Sequence, residues 1–277
     1  MLDIEWVTIP AGRFLLGIPE AERVERAERY GIDLAFAGLP QQEVYLDTFE
    51  ISKYPITYRQ FYAFCVSTGY PGSGSPYLMR ARVDGDESIW DHPVAWVSWY
   101  DAMRFCQWIG GRLPTEAEWE KAARGTDGRH YPWGNDWLAE HCNAYDDPVH
   151  QTTPAHYATR QRDSSPVTTP VQQYPQGASP YGVCDLIGNV WEWTDAWVTT
   201  TAIVPKGVGH PNAKMEQLDA AVHLPVLRGG ASSSYGTVVQ TTLRLVKYYP
   251  QDQGDLVGFR CVRLPSFRLR HAEGAWR

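Results

Sequence analysis

The chain has 277 residues and a formal net charge of −7, with 12 tryptophans and 16 tyrosines. It contains no apolar run of membrane-spanning length and no basic stripe for nucleic acid, and its acidic balance argues against attraction to anionic lipid. We therefore predict a globular protein that binds neither nucleic acid nor membrane. The N-terminus lacks a basic region followed by an apolar one, which predicts no signal peptide and a cytoplasmic location.

The first predicted elements are short. Residues 6–17 alternate apolar and small side chains around Pro10-Ala11-Gly12, as a strand and a turn do. Residues 19–30 predict a charged helix with proline in its first turn and Gly31 after its end. Residues 42–51 alternate again, which predicts a strand at the edge of the core.

Three further helices are predicted from their N-terminal caps. Thr57 caps a helix that extends to about Ser67, and Ser98 caps one that extends to about Ile109. The run 115–118 (TEAE) repeats the capping pattern, and Gly125 ends that helix. Residues 128–181 show no sustained period and predict a long loop, which is usually functional or held by something such as a metal.

The five cysteines are scattered without the CxxC spacing of a metal or redox motif. An odd number of cysteines in a chain without an export signal favours reduced thiols in the core. Because no internal repeat or linker is present, we predict one domain over residues 1–277.

Several segments together form a specific series. In chain order they are 6–14 (WVTIPAGRF), 51–57 (ISKYPIT), 92–99, 112–125 (RLPTEAEWEKAARG), 131–134 (YPWG), 179–182 (SPYG), 185–193 (DLIGNVWEW), 227–230 (LRGG) and 258–260 (GFR). In order and spacing this series resembles the formylglycine-generating-enzyme, or sulfatase-modifying-factor, family over residues 5–263. The resemblance implies an α+β protein with little regular secondary structure and a C-type-lectin-like fold. It does not by itself imply the activity, since one fold serves many functions.

The resemblance also implies calcium bound in the loops. The first set of positions that match the family is Asp185, Gly188, Val190 and Glu192, which offers carboxylate and carbonyl oxygens to a hard cation. The alternative for Asp185 and Glu192 is that they cap turns or pair with arginine. The second set is Asn143, Ala144, Asp163 and Ser165, in the long loop that a cation would hold in place.

The family's copper site is missing from this sequence. Family enzymes oxidise a substrate cysteine with copper held by two cysteines shortly after the Arg-Gly-Gly segment, since thiolates suit Cu(I). Here Ser234 and Val239 occupy those positions, and no cysteine lies between Cys184 and Cys261. We therefore predict no copper and no catalytic residues, and expect the chain not to be an enzyme.

The region of about 230–260 departs most from the family, while the motifs on either side keep its pattern. A preserved frame around an unusual segment is typical of a binding surface, and it resembles the variable proteins of diversity-generating retroelements. We expect the stretch from Ser232 to Leu256 to be exposed and to bind a protein partner, with the chain itself a monomer. The predicted ligand-binding residues are Ser232, Ser234, Tyr235, Thr237, Val239, Thr241, Arg244, Lys247, Tyr248, Tyr249, Asp252 and Asp255.

Two other interpretations stay open. One is a different non-catalytic binding module, in which the apolar residues of this segment belong to the core. The other is an enzyme with an unknown, copper-independent reaction in a pocket near Trp191, Arg228 and Ser234. A closed polar cavity lined by Ser234 and the nearby tyrosines would favour the enzyme.

Overall fold

The computed structural model describes residues 2–30, 37–72, 74–76, 78–79, 87–145, 168–200, 204–205, 215–216, 222–236 and 238–265. The predicted ligand residue Thr237 and the predicted calcium ligands Asp163 and Ser165 lie outside these ranges. Within the described part of the chain, no helix combines the length and the apolar character needed to cross a membrane.

The helices of the described chain are short, and three of them begin at the predicted caps. They are α1 (Glu20–Tyr30), α2 (Tyr58–Thr68), α3 (Trp99–Trp108) and α4 (Glu116–Arg124). The side chains of Thr57, Ser98 and Thr115 each accept a hydrogen bond from the backbone N–H three residues later. In return, the side chain at that later position accepts a hydrogen bond from the backbone N–H of the capping residue. These reciprocal bonds satisfy N–H groups that a helix start leaves open, which is why sequence located the starts correctly.

Most strands are short as well. They are β1 (Trp6–Ile9), β2 (Gly12–Leu16), β3 (Gln42–Leu46), β4 (Phe49–Ser52), β5 (Trp191–Thr200), β6 (Val204–Pro205), β7 (Met215–Glu216), β8 (Val222–Arg228), β9 (Arg244–Leu245), β10 (Val257–Phe259) and β11 (Val262–Arg263). Among the described residues they form a three-stranded sheet in the order β1-β4-β11, a four-stranded sheet in the order β10-β5-β8-β9, and the pairs β2-β3 and β6-β7. The described chain is thus α+β with little regular structure, as predicted.

The prediction of one strand over residues 42–51 is wrong. The chain forms β3 and β4, which belong to different sheets: β3 pairs with β2, and β4 lies between β1 and β11. Asp47 and Thr48 separate them, and the Thr48 hydroxyl accepts a hydrogen bond from the Ala11 N–H at 3.0 Å. The alternation of residue types continues across the break, so it cannot show that the partner strand changes.

The core of the described chain is aromatic and lies where α2, α3 and the β5–β10 edge meet. Phe61, Phe105 and Phe259 are fully buried, with ring centroids 5.4–6.4 Å apart. All five cysteines are buried, as expected for core thiols. This core supports β5 and β8. The first predicted calcium set lies just before and at the start of β5, and the unusual segment of residues 230–260 follows β8.

Candidate binding surface

Two glycines turn the chain back onto the core directly after β8. Gly229 and Gly230 have φ values of 94° and 78°, in the left-handed region that favours glycine. A Cβ on Gly230 would lie 2.2 Å from Cγ1 of Val239, so the absent side chain leaves room for the valine. The segment that begins at Ala231 therefore folds inward rather than over the surface.

The two serines predicted to bind a ligand are buried instead. Ser232 and Ser234 are 3% and 6% exposed. The Ser234 hydroxyl accepts a hydrogen bond from the Ala231 N–H at 3.1 Å, and its carbonyl accepts one from the Tyr145 N–H at 2.8 Å. Ser234 thus closes a turn and joins the 143–145 loop to this segment.

Arg244 belongs to a buried ionic network at the centre of the segment. Arg228 donates to Glu116 and Glu120, each at 2.7 Å, and Arg244 Nη2 donates to the other Glu116 oxygen at 3.1 Å. Arg228 also donates to the Thr241 carbonyl at 2.6 Å, and its guanidinium lies 5.1 Å from the ring centroid of Trp119. Such a network holds β9 and the preceding turn against α4.

The predicted exposure of the segment is therefore wrong for five of the predicted ligand residues. Ser232, Ser234, Val239, Thr241 and Arg244 are each less than a tenth exposed. Serine, threonine and valine fit either environment, and the charge of Arg244 is neutralised by a carboxylate 128 positions earlier in the chain. The residue types alone could not separate a surface loop from this buried one.

The remaining predicted ligand residues that the structure describes are partly accessible and form two groups. Tyr235 packs edge-on against Tyr145, with ring centroids 5.3 Å apart, next to the turn of Gly229 and Gly230. Lys247, Tyr248, Tyr249, Asp252 and Asp255 lie beyond β9. Because β9 runs antiparallel to β8, the chain at residues 247–249 heads towards the opposite end of β8 from Tyr235. Asp255 instead lies next to β10, whose Val257 pairs with Trp191.

Partly exposed aromatic residues contact the second group at Pro250. The Trp99 N–H donates to the Pro250 carbonyl at 3.0 Å, and the Trp99 ring lies 5.1 Å from Trp197 and 5.6 Å from Tyr100. Trp197 is 40% and Tyr100 44% exposed. These three residues form what we call the Trp99 surface: Trp99, Tyr100 and Trp197. Tyr249 packs instead with Leu224 and Val226, on the other face of the β5–β8 sheet. None of the members of the Trp99 surface was predicted from the sequence, because they lie on α3 and β5, far from the unusual segment.

Two charged residues of the second group are partly withdrawn from water. Burial lowers the pKa of Lys247, whose Nζ lies 5.4 Å from the ring centroid of Tyr248. Burial raises the pKa of Asp252, which accepts a hydrogen bond from the Tyr249 N–H at 2.7 Å. The Asp252 bond fixes the backbone at Tyr249 and so orients the aromatic side chain.

The first predicted calcium set fits a cation only in part. Asp185 is 7% exposed, and its Oδ2 atom has no hydrogen-bond partner among the described residues. Burial raises the pKa of Asp185 to about 6, although Arg260 opposes the shift. A buried carboxylate oxygen without a donor is the kind of atom that a hard cation would stabilise. Val190 is buried, and Gly188 lies against the Asn143 carbonyl.

Glu192 does not fit as a free calcium ligand. Its Oε1 and Oε2 atoms accept hydrogen bonds from Arg260 at 2.7 and 2.6 Å, and Oε2 also accepts one from the Trp119 indole at 2.7 Å. Pairing with arginine was the alternative for this residue, and the structure shows that pairing. Both oxygens are already satisfied, so a cation would have to displace Arg260 to bind here.

The second predicted calcium set is described only in part. The Asn143 carbonyl accepts a hydrogen bond from the Asn189 N–H at 2.8 Å, which places Asn143 and Ala144 beside the first set. Their predicted partners Asp163 and Ser165 are outside the described residues. Within the described chain, no group of three or more His, Cys, Asp or Glu residues is arranged to hold a metal.

The pocket of the alternative enzyme interpretation is not open in the described structure. Trp191 is 7% exposed and Arg228 is fully buried in its ion pairs. Two clefts of the described chain lie along α2, and neither is lined by Trp191, Arg228 or Ser234.

The fold and the preserved motifs together define a C-type-lectin-like scaffold of the formylglycine-generating-enzyme type. The family model described as the sulfatase-modifying factor enzyme 1-like domain matches residues 3–265. The chain therefore belongs to the sulfatase-modifying factor family.

Its relatives include proteins named as enzymes and proteins named as inactive. The chain is 32% identical to the formylglycine-generating enzyme of Thermomonospora curvata, over 94% of this chain and 93% of that one. It is 34% identical to the inactive C-alpha-formylglycine-generating enzyme 2 of Bos taurus, over 72% of this chain and 56% of that one. It is 29% identical to the uncharacterized protein YfmG of Bacillus subtilis, over 96% of this chain and 56% of that one. The chain thus spans just over half the length of the last two relatives.

Solved structures show the same fold. PvdO from Pseudomonas aeruginosa superposes with a TM-score of 0.63 at 25% identity, over 95% of both chains. Variable protein 1 of Treponema denticola superposes with a TM-score of 0.58 at 19% identity, over 94% of this chain and 95% of that one. The second likeness supports the fold assignment only.

Proposed function

We propose that this chain is a non-catalytic binding module that holds a protein partner on the Trp99 surface. The observation that carries the proposal is that the positions of the family's copper site hold structural residues here, whereas accessible aromatic residues lie elsewhere. At the positions of the family's copper cysteines, Ser234 closes a turn and Val239 fills the space beside Gly230. Accessible aromatic side chains are instead gathered at the other end of β8.

The chemistry of the Trp99 surface suits a protein ligand. Tyrosine and tryptophan offer large amphipathic contact areas at a low cost in side-chain entropy, and both are enriched where proteins bind one another. Asp252 lies two residues after Pro250, whose carbonyl accepts a hydrogen bond from Trp99, and adds a polar group at the rim. The bovine relative that is named inactive supports a non-catalytic role for this scaffold.

The more specific form of this proposal is that the chain is a variable protein of a diversity-generating retroelement. The preserved motifs on both sides of residues 230–260 support it. Buried residues such as Thr241 and Arg244 would tolerate variation poorly, so we expect diversity at Tyr235 and at positions 247–255. The genome tests this form directly: a reverse transcriptase gene and a near-copy of these codons are expected nearby, and their absence would refute it.

Removing an aromatic side chain from the Trp99 surface should weaken partner binding. We expect Tyr100→Ala and Trp197→Ala to weaken binding at least about fivefold, because truncating an aromatic anchor at an interface costs more than about 1 kcal/mol. The partner would be selected from the displayed proteome of the source organism and its affinity measured by calorimetry. Tyr45→Ala is the matched control, since Tyr45 is 58% exposed on β3, away from this surface. Equal losses in all three variants would reject the surface.

We also propose structural calcium, centred on Asp185, with carbonyl oxygens of Gly188 and Val190 as its partners. Asp185→Asn should raise the melting temperature in chelator, because it removes a buried charge. The same variant should melt below the wild type in millimolar calcium, because it lacks the anionic ligand. Differential scanning calorimetry with and without calcium measures both effects. A wild-type melting temperature that does not respond to calcium would contradict the site.

A further inference from the structure

A groove follows the exposed face of α2, away from the Trp99 surface. Arg59, Ala63 and Val66 lie on one face of the helix at helical spacing, and Val66 is 65% exposed. A cleft of about 480 Å³ opens at the N-terminal end of this face, and one of about 410 Å³ opens at the C-terminal end. Both clefts are lined by Arg59 and Ala63, so they meet at the small alanine side chain. We call the two together the α2 groove.

The floor of the groove is apolar at its C-terminal end. The second cleft is lined by Val66, Tyr62 and Trp90, and the Tyr62 and Trp90 rings lie 4.9 Å apart. Trp90 is buried and gives this part of the floor a fixed shape. An apolar side chain of a partner would lose contact with water here.

The rim of the groove is acidic. Asp3, Glu5 and Asp91 line the first cleft, and Glu87 lines the second. Arg59 is the one cation among the described residues that line them. Arg59 is engaged by Asp91 at 3.2 Å, and Lys53 engages Glu5 at 3.0 Å. Asp3 and Glu87 have no ion pair within the described part of the chain. The net charge of −7 adds a long-range attraction for cations.

We infer that the α2 groove binds an extended protein segment in which basic residues alternate with apolar ones. Its acidic rim complements lysine or arginine, and its apolar floor accepts the side chains between them. From Arg59 to Val66 the helix rises about 10 Å, which equals about three residues of extended chain. A short peptide is therefore long enough to reach both clefts.

The test uses two labelled pentapeptides, Lys-Leu-Lys-Leu-Lys and Glu-Leu-Glu-Leu-Glu, and fluorescence polarisation. We expect the basic peptide to bind at least about tenfold more tightly than the acidic one, and to lose affinity as salt rises. Ala63→Trp, which would fill the junction of the clefts, should abolish binding. The double variant Asp3→Asn with Asp91→Asn should weaken it severalfold, while Glu43→Gln, an exposed acid on β3, should not.

The outcomes separate this inference from its alternatives. Thermal melting identifies any variant that fails to fold. If Ala63→Trp does not fold, the double variant of the acidic rim serves as the independent test. Equal binding of both peptides, or wild-type affinity in the rim variant, would overturn the inference. So would self-association lost in Ala63→Trp, since a second copy would then cover the groove. Trp197→Ala should leave peptide binding unchanged, so this inference can fail independently of the Trp99 surface.

Discussion

Replacing Arg260 with methionine is expected to lower the free energy of unfolding by about 3–5 kcal/mol, the usual cost of removing one partner from a buried ion pair. Arg260 is fully buried, as is its partner Glu192. It also donates to the Ser52 carbonyl at 3.1 Å and the Cys184 carbonyl at 2.9 Å, and thereby ties β4 to the loop before β5. Without the guanidinium, the Glu192 carboxylate would keep only the Trp119 donor.

Chemical denaturation of Arg260→Met and of a matched surface variant measures this loss. Arg13 forms an ion pair with Glu43, but both side chains are more than half exposed. Arg13→Met should therefore cost less than about 1 kcal/mol. If the two substitutions destabilise the protein equally, Glu192 is not held by Arg260 in solution, and its role as a calcium ligand returns to consideration.

Replacing Arg244 with alanine is expected to cost about 3 kcal/mol, at the low end of the range for buried pairs because Glu116 keeps Arg228. This prediction separates a structural role from the ligand contact that the sequence suggested. A ligand contact on the surface would leave stability almost unchanged when truncated. Arg244→Ala should instead lower the denaturation midpoint and loosen β9 from β8.

Lys247→Ala is the matched control for Arg244→Ala, as it removes a cation from the same segment. Lys247 is partly exposed, and its ammonium lies over Tyr248 rather than in the ionic network. We expect a smaller loss of stability than for Arg244. A hydrogen-exchange experiment would show faster exchange in β9 only for the arginine variant, and unaltered exchange there would contradict the network.

The elements that sequence predicted well are those set by local chemistry. The helix starts at Thr57, Ser98 and Thr115 could be predicted because the hydrogen bonds that define a cap join residues only three positions apart. The fold was predicted from the family motifs instead, because these motifs are spread in a specific order over almost the whole chain. Where the pairing partner is distant, as for β3 and β4, the local alternation gave no information on the sheet.

The candidate site was predicted less well because its arrangement depends on distant contacts. The burial of Arg244 is set by Glu116 on α4, and that of Val239 by the absence of a side chain on Gly230. One signal in α4 was available: Glu116 and Glu120 lie on the same face of the helix, next to Trp119 and two alanines. Two carboxylates on a buried face require cations, and the arginines at 228 and 244 provide them.

The Trp99 surface shows the opposite difference, because its residues are exposed where the sequence favours burial. Trp99 directly follows the cap Ser98, and Trp197 lies on β5 beyond the conserved-looking motif of residues 185–193. Neither position stands out in the sequence, since aromatic residues in such elements are usually core. Their exposure became visible only when β5, β8 and α3 were placed together.

The most direct test of the central claim is a copper titration of the purified chain together with mass spectrometry of a cysteine peptide. The thioether-free, thiol-free segment from Gly229 to Leu256 offers Cu(I) no soft ligand. We therefore predict no tight copper binding at this segment and no conversion of the peptide cysteine to an aldehyde. One tightly bound copper per chain with aldehyde formation would contradict the account, and the chain would then be an enzyme with a metal site of a different composition.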